Sequence, residues 1–172
     1  MNKNDANALL SKLVASGVAD AFLEVISNSN RVYELCCNAV EDHLSLGDSP
    51  RLYSDMSVAC FTKEMMRYPW DKCELRALRH SRGAYDRVEL SSNNIQIIVS
   101  KEGDYKAEYK KACIRLNDAP GADGARGAVL CYTSDEQKRI VAARLVMLNS
   151  NLNELASASV FPASNAPQVL VG

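Results

Sequence analysis

Apolar residues recur at three- and four-residue steps through the first part of the chain. Leu9, Leu10, Leu13, Val14, Gly17, Val18, Ala21, Phe22, Val25 and Ile26 form one wide face, the pattern of an amphipathic helix. The polar run Ser27, Asn28, Ser29, Asn30 is expected to end it, because such side chains compete for the helix's own backbone groups. A second helix is expected with Val32, Leu35, Cys36, Ala39, Val40 and Leu44 inward, followed by the turn Gly47-Asp48-Ser49-Pro50. A third, over 54–68, buries Val58, Phe61, Met65 and Met66 and stops at Pro69.

A fourth helix is predicted directly after that proline. Asp71 and Glu74 have the spacing of a capping box, and Trp70 and Leu75 that of a hydrophobic staple around it. After Gly83 the period changes. Residues 85–90 and 94–101 read as two strands about a Ser/Asn turn, with Ile95, Ile97 and Val99 on one face. Residues 106–116 return to helical composition, 117–127 form a Gly-rich loop, and 128–133 a short strand. The segment 140–148 is an apolar run interrupted only by Arg144. It suits either a helix or a strand, and the hairpin is preferred because the 149–151 turn and the apolar 152–161 segment follow.

These elements predict an α+β fold, a helical N-terminal half packed on a C-terminal antiparallel sheet. Residues 1–161 are expected to form a single domain, with a helical part of about 5–82, a sheet part of about 84–161, and a tail at 162–172. Composition agrees: 47% hydrophobic and 24% charged residues are globular values. No apolar run approaches bilayer length and the N-terminal stretch lacks a leader pattern, so a soluble, cytoplasmic protein without membrane contact is expected.

Charge narrows the partners. The net charge of −1 gives no global attraction to nucleic acid or anionic lipid, so any such attraction must be local. Between positions 72 and 87, five basic residues (Lys72, Arg76, Arg79, Arg82, Arg87) face only two acids, Glu74 and Asp86. On the predicted fourth helix, Lys72, Arg76, Arg79 and His80 share one side, with Arg82 and Arg87 just beyond. Arginine's planar fork suits phosphate or carboxylate, although cations near a helix C-terminus also favour its dipole with no ligand at all.

Other chemistry finds little material. The six cysteines show no C-x-x-C pair and are expected to be reduced thiols on apolar faces; with only His43 and His80 available, the spacings fit no common zinc site. Asp104, Glu108 and Lys110 faintly suggest a metal-dependent nuclease, but Glu108 and Lys110 diverge on a helix. The glycines of 120–127 make neither a P-loop nor a dinucleotide fingerprint. No cofactor and no catalytic or metal-binding residue is assigned. The function expected is binding without catalysis, through a protein partner or self-assembly, with the basic helix as contact surface. Small residues Ala8, Ala15, Gly17 and Ala19 on the first helix motivate the self-assembly option. A nucleic-acid-associated role for the Arg76, Arg79 and Arg82 surface is the alternative, and a nuclease-like enzyme the third.

Overall fold

The apolar face predicted for the first helix is real but bent into two. A computed structural model describes residues 2–82, 85–91, 95–115 and 126–161, at backbone level only for 80–82, 85–87, 112–115 and 126. Asn2 and Asp5 cap each other at the start of α1, Lys3–Ala15. Gly17, at φ +82°, turns the chain into α2, Val18–Val40. The polar run at 27–30 does not end α2. Ser29 is buried, and Asn30 spends both ends of its amide on the backbone of Ile140, so neither competes with the helix. The third helix, α3, is Pro50–Arg67 and starts earlier than expected, with Pro50 in its first turn, where a missing N–H costs nothing. Met66 is exposed, contrary to expectation, while Tyr53, Ser57, Cys60, Phe61 and Met65 face inward.

The predicted fourth helix is not formed. Trp70–Cys73 make one 3₁₀ turn, which ends at Glu74 in the left-handed region, φ 57°. The turn is entered from Pro69 without a side-chain cap and no helix follows Asp71, so the capping-box spacing was a false signal. Trp70 and Leu75 are both buried, and the Leu75 amide donates to the Trp70 carbonyl. From there the chain runs straight into β1, Arg76–Arg82.

The remaining strands are β2, Tyr85–Ser91; β3, Ile95–Lys101; β4, Arg126–Ser134; β5, Ile140–Leu148; and β6, Glu154–Ser159. They form one six-stranded sheet in sequence order. Strand pairs are antiparallel except β3 and β4, which run parallel across α4, Tyr105–Arg115. The fold is α+β, and its sheet is mixed. A strand followed by a helix and another strand returns the chain to its starting end, and the parallel pair follows from that connection.

Helices α1, α2 and α3 cover one face of the sheet. Leu10, Phe22, Ile26 and Met65 pack there on Leu90, Ile97, Leu130, Leu145 and Met147. On the other face α4 lies over β3 and β4, where Tyr105 and Tyr109 meet Ile98, Val129, Cys131, Val146 and Leu148. The central strands are thus buried on both sides, and β4 reads as a continuous apolar run for that reason. Tyr109 approaches Gly127 so closely that a Cβ there would lie 2.5 Å from its ring, and a larger residue would have to displace that ring.

The large apolar residues of the first-helix pattern are largely consumed here, while Ala8 and Ala15 are exposed and Ala19 is buried. Leu10, Leu13, Val18, Ala21, Phe22, Val25 and Ile26 are buried in the chain's own core, leaving Val14 as the exposed large apolar residue of the pattern. Among the described residues no helix is long and apolar enough to cross a membrane.

Candidate binding surface

The six basic residues singled out from the sequence do not share one helical side. Lys72 is exposed in the 3₁₀ turn, and Arg76 and Arg79 are exposed on β1. His80 and Arg82 belong to β1 and Arg87 to β2, with side chains outside the described residues. In the β1–β2 register Arg76 faces Ser91, Arg79 faces Val88, His80 faces Arg87 and Arg82 faces Tyr85. A strand alternates its side chains, so Arg76 and Arg79 occupy opposite faces. Arg79 lies on the face of Ala77, toward the α1–α3 side, and Arg76 lies with Leu78 on the α4 side. The expected one-sided basic helix is therefore corrected to a basic strand with cations on both faces.

Among the described residues this strand is an edge: its one neighbour in the sheet is β2, and α4 contacts β3 and β4. Leu78 is consequently 45% exposed, unusual for a leucine in mid-strand. An edge strand exposes backbone donors and acceptors along one side, and charged side chains there discourage unintended pairing.

A second charged constellation was legible only as an interruption. Arg144 in the apolar run of β5 lies on the α4 side, beside Cys131 in register. It makes a bidentate bridge to Glu154 at 2.8 and 2.9 Å. Its Nε and Nη2 donate to Glu102, the Nε at 3.1–3.2 Å. Tyr105 Oη donates to Glu154, and the guanidinium stands 5.7 Å from the Tyr105 ring centre. Hydrogen bonds from Arg144 and then Tyr105 pull the Glu154 carboxyl down to about 2, whereas burial and the Glu154 bond push the Tyr105 phenol up to about 12. These bonds clamp the end of β3, through Glu102, to β5, β6 and α4.

The clamp has a testable pH signature. Glu154 is depressed in the folded protein, so its contribution is full above the ordinary carboxylate value of 4.5 and disappears as pH falls toward about 2. Arg144→Leu is expected to lower stability at pH 7 by about 1–2 kcal/mol, less than a fully buried pair because the arginine is 30% exposed. Urea melts at pH 7 and pH 2.5 should show the difference between the two proteins shrinking at the lower pH.

Among the described residues no group of three or more His, Cys, Asp or Glu could hold a metal ion. Asp104 and Lys110 are exposed, and Glu108 is bridged to Lys111 at 2.8 Å, the local helix pairing that the i,i+3 spacing favours. A pocket of ≈ 60 Å³ lies between α3 and the sheet, walled by Phe61, Met65, Val88 and Val99. Comparison with known protein families, with curated proteins and with solved structures found no match to this chain.

Proposed function

We propose that this protein acts by binding, without catalysis, and that its contact surface is the basic edge strand β1 with the preceding turn. Its partner is an acidic, extended protein segment that pairs with the edge. The observation that carries this reading is the conversion of the arginine-rich stretch into a sheet edge. Extended segments add to such edges through main-chain hydrogen bonds, while side chains on alternate faces supply selectivity. Arg76 on one face and Arg79 on the other suit a segment with carboxylates on both of its faces. Pairing of two copies edge to edge is disfavoured, since an antiparallel β1–β1 contact centred on Arg79 would set arginine against arginine.

Nucleic acid is the competing partner for the same cations. The register places Arg76, His80, Arg82 and Arg87 at positions of one face, the arrangement a phosphate track needs, and sets Arg79 apart on the other.

Titration separates the two. A labelled peptide of repeated Val-Val-Glu-Glu, which sets glutamates on both faces when extended, should bind the wild type, weaken at least about tenfold in the triple variant Arg76→Ala, Arg79→Ala, Arg82→Ala, and lose binding when alternate peptide nitrogens are methylated. Duplex or single-stranded DNA binding with a log–log salt slope of about −2 to −3, flattened in the triple variant, would instead establish the nucleic-acid reading. Binding of the methylated peptide as tightly as its parent would exclude strand addition.

A further inference from the structure

The β1–β2 hairpin dictates which groups of β1 an added strand meets. Arg82 and Tyr85 are partners across a two-residue connection, so they form the hydrogen-bonded pair that closes such a hairpin. In an antiparallel ladder, hydrogen-bonded and non-hydrogen-bonded pairs alternate. Arg76, Leu78 and His80 therefore turn their main-chain groups inward to β2, as Arg82 does. Ala77, Arg79 and Ser81 turn their N–H and C=O groups toward the open edge.

Side chains divide between the faces in the same alternation. Positions 77, 79 and 81 belong to the α1–α3 face, and 76 and 78 to the α4 face. On that second face Arg76 is exposed and Leu78 is 45% exposed. A strand added in the antiparallel sense hydrogen-bonds to residues 77, 79 and 81. Its residues opposite Arg76 and Leu78 then fall in non-hydrogen-bonded pairs. Those are the close pairs, with Cα atoms about 4.5 Å apart instead of about 5.5 Å, and side-chain contact is greatest there.

We propose that Leu78 is the residue by which β1 selects its partner. The added segment bonds to the main chain of Ala77, Arg79 and Ser81, sets an aliphatic side chain against Leu78, and places a carboxylate two residues away against Arg76. This rests on the strand-addition reading above and gives the partner its pattern. Charges on an edge ordinarily discourage pairing, and a leucine among cations leaves one place where an apolar contact rewards it. A uniformly acidic strand would press a carboxylate onto Leu78, stripping it of water with nothing to replace that water. An aliphatic residue there covers the exposed leucine instead.

The test uses the full chain and two labelled peptides, repeated Val-Val-Glu-Glu and repeated Thr-Thr-Glu-Glu, alike in charge and nearly alike in shape. Wild type should bind the valine peptide about fivefold more tightly. Leu78→Thr, which keeps a good strand former at an exposed position, should bind the two equally. In the wild type, saturating valine peptide should slow amide hydrogen exchange at Ala77, Arg79 and Ser81 by at least about tenfold. Exchange at Leu78 and His80 should stay as it was, since β2 already holds those groups. The peptide comparison and the exchange are both read on the wild type, so they stand even if the variant misfolds. Equal affinity of the wild type for both peptides, or an unchanged preference in Leu78→Thr, overturns the role of Leu78 and leaves strand addition standing. Peptide bound without slowed exchange at Ala77, Arg79 and Ser81 overturns the main-chain contact. If neither peptide binds, strand addition itself falls, and the role of Leu78 with it.

Discussion

Replacing Trp70 by alanine is expected to cost about 4 kcal/mol, the largest effect of any single substitution considered for this protein. The indole is 3% exposed and lies between Phe22 of α2, ring centres 5.0 Å apart, and Tyr68, at 4.7 Å. Its Nε1 donates to the Met65 carbonyl at 2.6 Å, satisfying one of the carbonyls that the end of α3 leaves over. Alanine removes the ring, opens a cavity at the junction of two helices and the sheet, and orphans that carbonyl. Trp70→Phe keeps much of the volume but not the donor, and should lose about half as much. As Trp70 is the only tryptophan, its own fluorescence cannot follow both proteins; urea unfolding by circular dichroism at a helical wavelength can. A loss below about 1 kcal/mol for the alanine variant would mean that the indole is not in the core.

The second large effect is expected at Asn30, where a polar residue inside a helix acts as a strand. Its Nδ2 donates to the Ile140 carbonyl at 2.8 Å, and its Oδ1 accepts from the Ile140 amide at 3.0 Å. Nearby, Tyr33 Oη donates to the Gln137 carbonyl at 2.8 Å and Ser57 Oγ to the Lys138 carbonyl at 2.6 Å. Helices α2 and α3 thus hold the β4–β5 hairpin by its backbone. Asn30→Leu strips both partners from Ile140 at a partly buried site and should cost about 2–4 kcal/mol. Asn30→Asp makes a sharper test. Ionised, it presents a charge to the Ile140 carbonyl; protonated, it restores both bonds. Its folded-state carboxyl is therefore raised, and the variant should be closest to wild type at acid pH and lose stability as pH rises through that value. Equal destabilisation at pH 4 and pH 7 would exclude the bidentate contact.

Sheet strands β2 to β6 were readable because their signals are local. Ile95, Ile97 and Val99 alternate, Leu145–Leu148 are too apolar for one face of a helix, and Asn and Ser mark the turn after β5. The parallel β3–β4 pair was implicit in the strand–helix–strand order at 95–134, yet the antiparallel expectation overlooked it. The basic stretch at 72–82 failed differently. Asp71 and Glu74 carry a helix-start spacing, and Arg76, Ala77, Leu78 and Arg79 are all good helix formers. Seven residue pairs with β2, and Leu75 and Ala77 packing toward the core, outweigh those few tenths of a kcal/mol per residue.

By itself the sequence determined the α+β class, the helical and sheet halves and the end of α3 at Pro69, since each rests on periodicity or on a residue's own backbone limits. Tertiary structure alone decided the rest. Asn28 and Ser29 stay helical because α2 has the sheet to pack on, Arg144 is tolerated in β5 because Glu102 and Glu154 arrive from distant positions, and Cys36, Cys37 and Cys60 share one apolar cluster only once α2 and α3 pack. Such pairings join residues far apart in the chain, and their free energy exists only after the intervening segments have been brought together.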